Sequence, residues 1–359
     1  MATPNLADVM MRNHIVLQRL SASQVSKIDA FLQQIATELQ RRLSGHDLTE
    51  LGQSRLERML GRFNDYLKQT LGQYQTGLMS DLQALALNEA QSTNKALSVS
   101  VNTDFEAPAP ATIRAAVLTT PLSVSGPDGG KLLKAFLDDF SALTRKRINN
   151  AIRLGVAQGQ TNAQIATTIR GTAVAKYQNG IIGLAKRDAD KIVHTAVQAV
   201  ASSARQAVFD ANDDVIEGVQ WVSTLDSLTC PRCGALDGVV FDSDEGPRPP
   251  LHIFCRCATV AKLKGAFAKL QKGGTRPAIG ADGVEQVSAK TGYYGWLKTQ
   301  PAAFIDFALG PTRGKLLRDG GLSLGRFAQL QLDKRFMPLT LEEAQKLEPL
   351  AFEEAGVDA

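Results

Sequence analysis

Two stretches in the first quarter of the chain repeat apolar residues at three- and four-residue intervals. In the first, Val25, Ile28, Phe31, Leu32, Ile35, Leu39 and Leu43 follow Ser21 and Ser23, either of which offers an N-cap, and Gly45 can end the helix. In the second, from about Leu51 to Leu87, one stripe carries Leu56, Met59, Leu60, Phe63, Leu67, Leu71 and Tyr74. The spacing predicts two amphipathic helices paired as a hairpin, a scaffold whose stripes pack into a core. Helical spacing returns at Leu132, Leu133, Phe136, Leu137, Phe140 and Leu143 and continues through Arg145-Lys146-Arg147 towards Val156. A short helix capped by Thr161 and closed by Gly171 comes next. A longer one, Asp188 to Ala211, aligns Ala189, Val193, Ala196, Val200 and Ala204 on a small-residue face suited to close packing, with His194 on its border.

The pattern breaks twice. Between Ser98 and Gly130, Pro108, Pro110, Pro121 and Pro127 gather with Ser, Thr and Gly129-Gly130, residues that interrupt helix and ladder alike. From Val215 the period shortens: Val219, Trp221 and Val222 predict one strand and Gly238 to Phe241 another, joined through the turn chemistry of Asp237-Gly238. The reading is a mainly α protein with a small α+β metal knuckle. It comprises a helical N-terminal domain (1–100), a linker (101–130), a helical domain (131–262) with a two-stranded knuckle (220–260), and a basic linker with an irregular or helical extension (263–359). Within the extension Thr340 is the expected N-cap of a terminal helix. The run Gly310 to Lys315 lacks the spacing of a phosphate-binding loop.

Composition supports helix, since aromatics are only 6% while Ala, Leu and Gln recur. A net charge of +4 is too small by itself to announce a nucleic-acid binder or a membrane anchor. Asp8, Arg12 and His14 interrupt the start, so no secretion signal is expected, and no uncharged apolar run is long enough to span a bilayer.

All four cysteines fall in one window, as Cys230-Pro-Arg-Cys233 and Cys255-Arg-Cys257, with His252 just before the second pair. The first spacing lets two thiolates approach one ion from a tight turn, and zinc takes four such donors at tetrahedral positions. Five candidates are present, so four of Cys230, Cys233, Cys255, Cys257 and His252 would hold one structural Zn2+ per chain. The four cysteines form one set, and His252 in place of Cys255 or Cys257 forms the other. A redox pair would need no second set of cysteines, and a catalytic zinc would need an open coordination position. No enzyme is therefore expected.

The block Gln220-Trp-Val-Ser-Thr-Leu-Asp-Ser-Leu-Thr-Cys-Pro-Arg-Cys-Gly-Ala-Leu-Asp-Gly238, followed by Pro249-Pro-Leu-His-Ile-Phe-Cys-Arg-Cys257, resembles the signature of the phage Mu F-like minor head proteins, also called head morphogenesis proteins. The resemblance extends back over the helices to about Gly130. The sequence departs from that pattern at His194-Thr195, where the family usually has Arg-Thr, and at Ile253-Phe254, where Pro-Asn is common. The resemblance implies a virion protein of a tailed bacteriophage, made in the host cytoplasm and acting near the portal vertex in assembly, packaging or DNA delivery. Its implied partners are the portal protein and major capsid or scaffold proteins, with no membrane.

Between Gly246 and Ala281 the chain has seven cations, among them Lys262, Lys264, Lys269, Lys272 and Arg276, and no carboxylate. These five are candidates for nonspecific contact with packaged DNA or with the portal. Alternative readings are a zinc-containing nuclease or toxin-like enzyme, and a DNA-binding protein using the helix between Gly159 and Gly171.

Overall fold

The computed structural model describes residues 6–44, 53–265 and 274–359; Gly45, Leu51, Lys269 and Lys272 lie outside them. The fold is mainly helical with small antiparallel sheets. Helices α1 (Leu6–Ser44) and α2 (Gln53–Val101) pack together along the two apolar stripes, burying Ile28, Leu32, Ile35 and Leu39 against Leu60, Phe63, Leu67 and Leu71. Helix α1 begins well before the serines expected to cap it. Ser21 instead lies inside the helix, buried, and returns its hydroxyl to the Leu17 carbonyl at 3.0 Å. Helix α2 runs past Leu87 to Val101 because Ala90, Thr93, Ala96 and Leu97 extend its buried face.

The proline-rich stretch is not structureless. Pro110 opens α3 (Pro110–Thr119), a position where its missing N–H costs nothing. Ile113 and Val117 of this helix, with Leu122 and Val124 beyond it, are buried in the same core as α1 and α2. Asn94 donates to the Phe105 and Glu106 carbonyls, and the Ser125 N–H donates to the Leu251 carbonyl at 3.0 Å.

Helices α4 (Leu133–Ala157), α5 (Asn162–Arg170) and α6 (Ile181–Asp210) complete the bundle. Thr161 caps α5 as expected and forms a reciprocal capping box with Gln164. Helix α6 starts seven residues earlier than the periodicity suggested (181 against 188), after Gly180. It is the spine of the molecule, contacting α1, α2, α3 and α4 through its small-residue face. Deep in that contact Arg205 (0% exposed) pairs with Glu89 of α2 (2% exposed), whose other oxygen accepts from Asn13 at 2.8 Å.

After α6 the chain forms β1 (Ile216–Val222), the knuckle helix α7 (Pro231–Leu236), β2 (Val240–Phe241) and β3 (Ala258–Leu263). The sheet has three antiparallel strands, ordered β2-β1-β3, rather than two. Strand β3 was not anticipated because Ala258-Thr-Val-Ala-Lys-Leu263 is buried at nearly every position and so does not alternate. A hairpin, β4 (Thr275–Gly280) with β5 (Gly283–Ser288), precedes α8 (Tyr293–Leu297), α9 (Ala302–Leu309), α10 (Pro311–Asp319), α11 (Leu324–Gln329), α12 (Leu341–Leu347) and α13 (Pro349–Ala355). These short helices enclose a core of their own, built on Tyr293, Tyr294, Trp296, Ile305, Phe327 and Phe352. Thr340 caps α12, again with a capping box, to Glu343. No helix among the described residues is long and apolar enough to cross a membrane.

Candidate metal centre

Cys230 is the N-cap of α7, held there by Pro231 at the first helical position, and its sulfur accepts the Cys233 N–H at 3.4 Å. The helix start therefore aims both thiols of the first pair at one point. The other donors sit on the loop between β2 and β3. A turn closed by the Cys255 N–H on the His252 carbonyl at 3.1 Å brings His252 and Cys255 round, and Cys257 follows immediately before β3.

The five candidate ligands converge. His252 Nε2 lies 3.3 Å from Cys230 Sγ and 3.2 Å from Cys233 Sγ, and Cys233 Sγ lies 3.9 Å from Cys255 Sγ. A tetrahedral zinc site with Zn–S bonds of about 2.3 Å has S···S edges of roughly 3.8 Å, so these separations already suit a shared ion. Two ligand triads result, Cys230/Cys233/His252 and Cys233/Cys255/Cys257, each with its donor atoms within 4.8 Å of one another and with Cys233 common to both. His252 Nδ1 is 2.8 Å from the Ile253 carbonyl oxygen. With the ring proton on Nδ1, that contact is a hydrogen bond and leaves Nε2 free to coordinate. Cys257 Sγ has a further neighbour, the Ser223 hydroxyl at 3.7 Å.

Without an ion the cluster holds its protons unevenly. The bond from Cys233 pulls the Cys230 thiol down to about 4, against burial, with His252 assisting. Cys255 is likewise held well below the usual thiol range, chiefly by Cys233. Cys233 is pushed up by its thiolate neighbours, and Cys257 is pushed up by burial. Burial acts to lower His252, yet its bonds to Cys230 and Cys255 raise it to about 10. Negative charge is thus concentrated where a cation would sit.

The support around the cluster was only partly legible. Asp226, in the quoted Asp-Ser-Leu-Thr-Cys block, forms an ion pair with Arg256, the residue between Cys255 and Cys257. Ser223 donates its hydroxyl to the Cys233 carbonyl at 2.7 Å, and Gln198 of α6 donates its amide to the Cys257 carbonyl. The C-terminal core clamps the knuckle from outside. Tyr294 donates to the Pro231 carbonyl at 2.8 Å, and the Tyr293 hydroxyl lies 3.1 Å from the carbonyls of both Asp226 and Thr229. The Tyr293 ring is seated on Gly234, where an added Cβ would come within 2.4 Å of it. Only glycine fits. No sequence signal tied Tyr293 or Tyr294 to the cysteines.

Of the basic candidates, Arg276 is a correction. It is buried (4% exposed), pairs with Asp237 at 2.9 Å and donates to the Ser223 and Thr291 carbonyls, so its charge is spent inside the molecule. Lys262 is half-buried in β3, and Lys264 donates to the Asp213 carbonyl at 2.6 Å. His194 rests on the Phe254 ring, 5.4 Å between centroids, with Asp190 at 3.3 Å, a satisfied helix-border histidine as the sequence suggested.

A helical spine thus carries a small knuckle, packed on the bundle, in which five candidate metal donors meet. The family model described as Phage Mu protein F like protein matches residues 146–260, from within α4 into β3, and spans all five candidate ligands. The matched segment is the one whose motifs resemble that family in the sequence. No curated protein and no solved structure matches the chain.

Proposed function

We propose that this chain is a structural minor head, or head morphogenesis, protein of a tailed bacteriophage. It is made in the bacterial cytoplasm, built into the virion head and acts near the portal vertex, with portal and major capsid or scaffold proteins as partners. The observation that carries this reading is the family match over the segment containing the whole knuckle. The metal is one structural Zn2+ held by Cys230, Cys233, His252 and Cys255. The short contacts linking these four support that set, while Cys257, in the triad with Cys233 and Cys255, also has the Ser223 hydroxyl beside it. Bound there, zinc supplies cross-linking of the two halves of the knuckle and no open position for chemistry. Arg256 with Asp226, Ser223 and Gln198 orient the ligand loop, and the chain carries no catalysis.

The test is co-expression of the parent chain, or of Cys230→Ser, with the portal and capsid proteins of the phage that encodes it, followed by quantifying the chain in purified heads. Incorporation of the parent and loss of Cys230→Ser are expected. Absence of the parent from heads, or metal-dependent cleavage of DNA by the purified chain, overturns the reading.

A further inference from the structure

From Ser141 to Arg187 the sequence carries eight cations, Arg145, Lys146, Arg147, Arg153, Arg170, Lys176, Lys186 and Arg187, and no carboxylate. Three are neutralised by acids from elsewhere: Arg147 by Asp188, Arg153 by Glu57 and Lys186 by Asp29. Arg170 and Lys176 form no ion pair among the described residues, and both are exposed.

These two stand on one groove. A cavity of about 470 Å³ follows the seam between α5 and the end of α1, lined by Gln40, Ser44, Ala163, Thr167 and Arg170. A second, of about 210 Å³, continues from Arg170 beneath the loop 171–180 and is lined by Lys176, Tyr177, Gln178, Lys186 and Asp29. Asp29 is the one carboxylate among the residues lining either cavity, and Lys186 already engages it at 3.0 Å.

The loop is a fixed shape. Asn179 accepts the Thr172 N–H at 2.9 Å and returns its amide to the Thr172 hydroxyl at 3.1 Å, while the Tyr177 N–H closes on the Thr172 carbonyl at 2.9 Å. That frame holds the Arg170 guanidinium 4.6 Å from the centre of the Tyr177 ring and leaves Val174 at the tip 98% exposed. The seam thus offers unpaired cations, a half-exposed aromatic ring and amide and hydroxyl donors at set positions.

We propose that this α5–loop seam is a docking groove for the phosphate backbone of duplex nucleic acid. A protein partner presents charges of both signs, whereas a phosphate row is uniformly negative and evenly spaced, which is what a carboxylate-poor groove complements. Cations together with Thr, Gln and Asn donors are the groups that contact phosphate and sugar. The inference places nucleic-acid contact apart from Lys262 and Lys264 and from Arg276, which is internal. It does not rest on the head-protein reading, because it concerns the free chain and is measured without heads.

The experiment is fluorescence anisotropy of a labelled 25-bp duplex with the full chain from 50 to 200 mM salt. Arg170→Gln/Lys176→Gln is compared with Lys262→Gln/Lys264→Gln, and helicity and zinc content are checked against the parent. Removing two phosphate contacts should flatten the log–log salt slope by roughly 1.8, at about 0.9 per contact, and the control pair should leave it unchanged. If the double variant loses helicity, Lys176→Gln alone replaces it, with an expected flattening of about 0.9. An unchanged slope in the Arg170/Lys176 variant overturns the proposal, as does a parent chain that fails to bind at 50 mM. So does a loss seen only with anionic vesicles or polyglutamate, offered in place of the duplex.

Discussion

The most demanding test of the packing is the ion pair between Arg205 of α6 and Glu89 of α2. With Arg205 at 0% and Glu89 at 2% exposure, both charges have left water, and their hydration is replaced by each other and by the Asn13 amide. Glu89→Gln preserves shape and removes one charge. The guanidinium is then buried without a counter-ion, and the expected cost is about 3–5 kcal/mol, the range for breaking one side of a buried pair. Replacing both residues, as Glu89→Leu/Arg205→Met, removes the uncompensated charge as well as the attraction. The double variant should return to within about 1 kcal/mol of the parent or exceed it, since desolvation of the pair offsets most of its Coulomb gain. Urea unfolding followed at 222 nm measures both, with the pairwise term taken from the cycle. A Glu89→Gln cost below about 1 kcal/mol, or a double variant no better than the single one, would show that water reaches the pair and that α2 and α6 are not sealed there.

Three further outcomes are expected. Elemental analysis should find about one zinc per chain, lost in Cys230→Ser or Cys233→Ser and retained in Cys257→Ser; retention in the first two would rule out this ligand set. His14 is buried, and burial followed by the Arg205 charge lowers it from the usual 6.5 to about 4. The unfolded chain therefore binds this proton more readily, and stability should fall as pH drops from 6.5 to about 4, by about 3 kcal/mol at 1.36 kcal/mol per unit. His14→Leu should flatten urea-unfolding stability across that window, and a slope equal to the parent's would remove His14 as the cause. The proposed division of the chain at 101–130 is tested by limited proteolysis. With Ile113, Val117, Leu122 and Val124 buried, cleavage should fall in the exposed Ser125–Gly130 segment and spare α3; full protection would show this segment held as tightly as the helices it joins.

The elements legible in advance were those with a strong local period or a local cap. The stripes of α1 and α2, the Thr161 and Thr340 caps and the convergence of the cysteines all follow from short-range spacing. What escaped depends on partners far along the chain. Pro110 punctuates the sequence, but whether it ends order or begins a helix is decided by the surface that Ile113 and Val117 meet. Strand β3 does not alternate because both its faces are buried, with α1 and α6 packed against it. Arg276 looks like any surface cation until Asp237, 39 residues earlier, is placed beside it.

The clamp that Tyr293 and Tyr294 lay over the knuckle also sets an order of events during synthesis. Every candidate ligand, from Cys230 to Cys257, leaves the ribosome before these two tyrosines do. A nascent knuckle could take up the proposed zinc while still open. The later helices then fold over Gly234 and the Pro231 carbonyl like a lid soldered on last. If the proposed zinc is bound, its release is slowed by every contact that holds the knuckle helix in place, and opening of the C-terminal core removes two of them. A chelator added to finished protein should therefore act far more slowly than one present during translation.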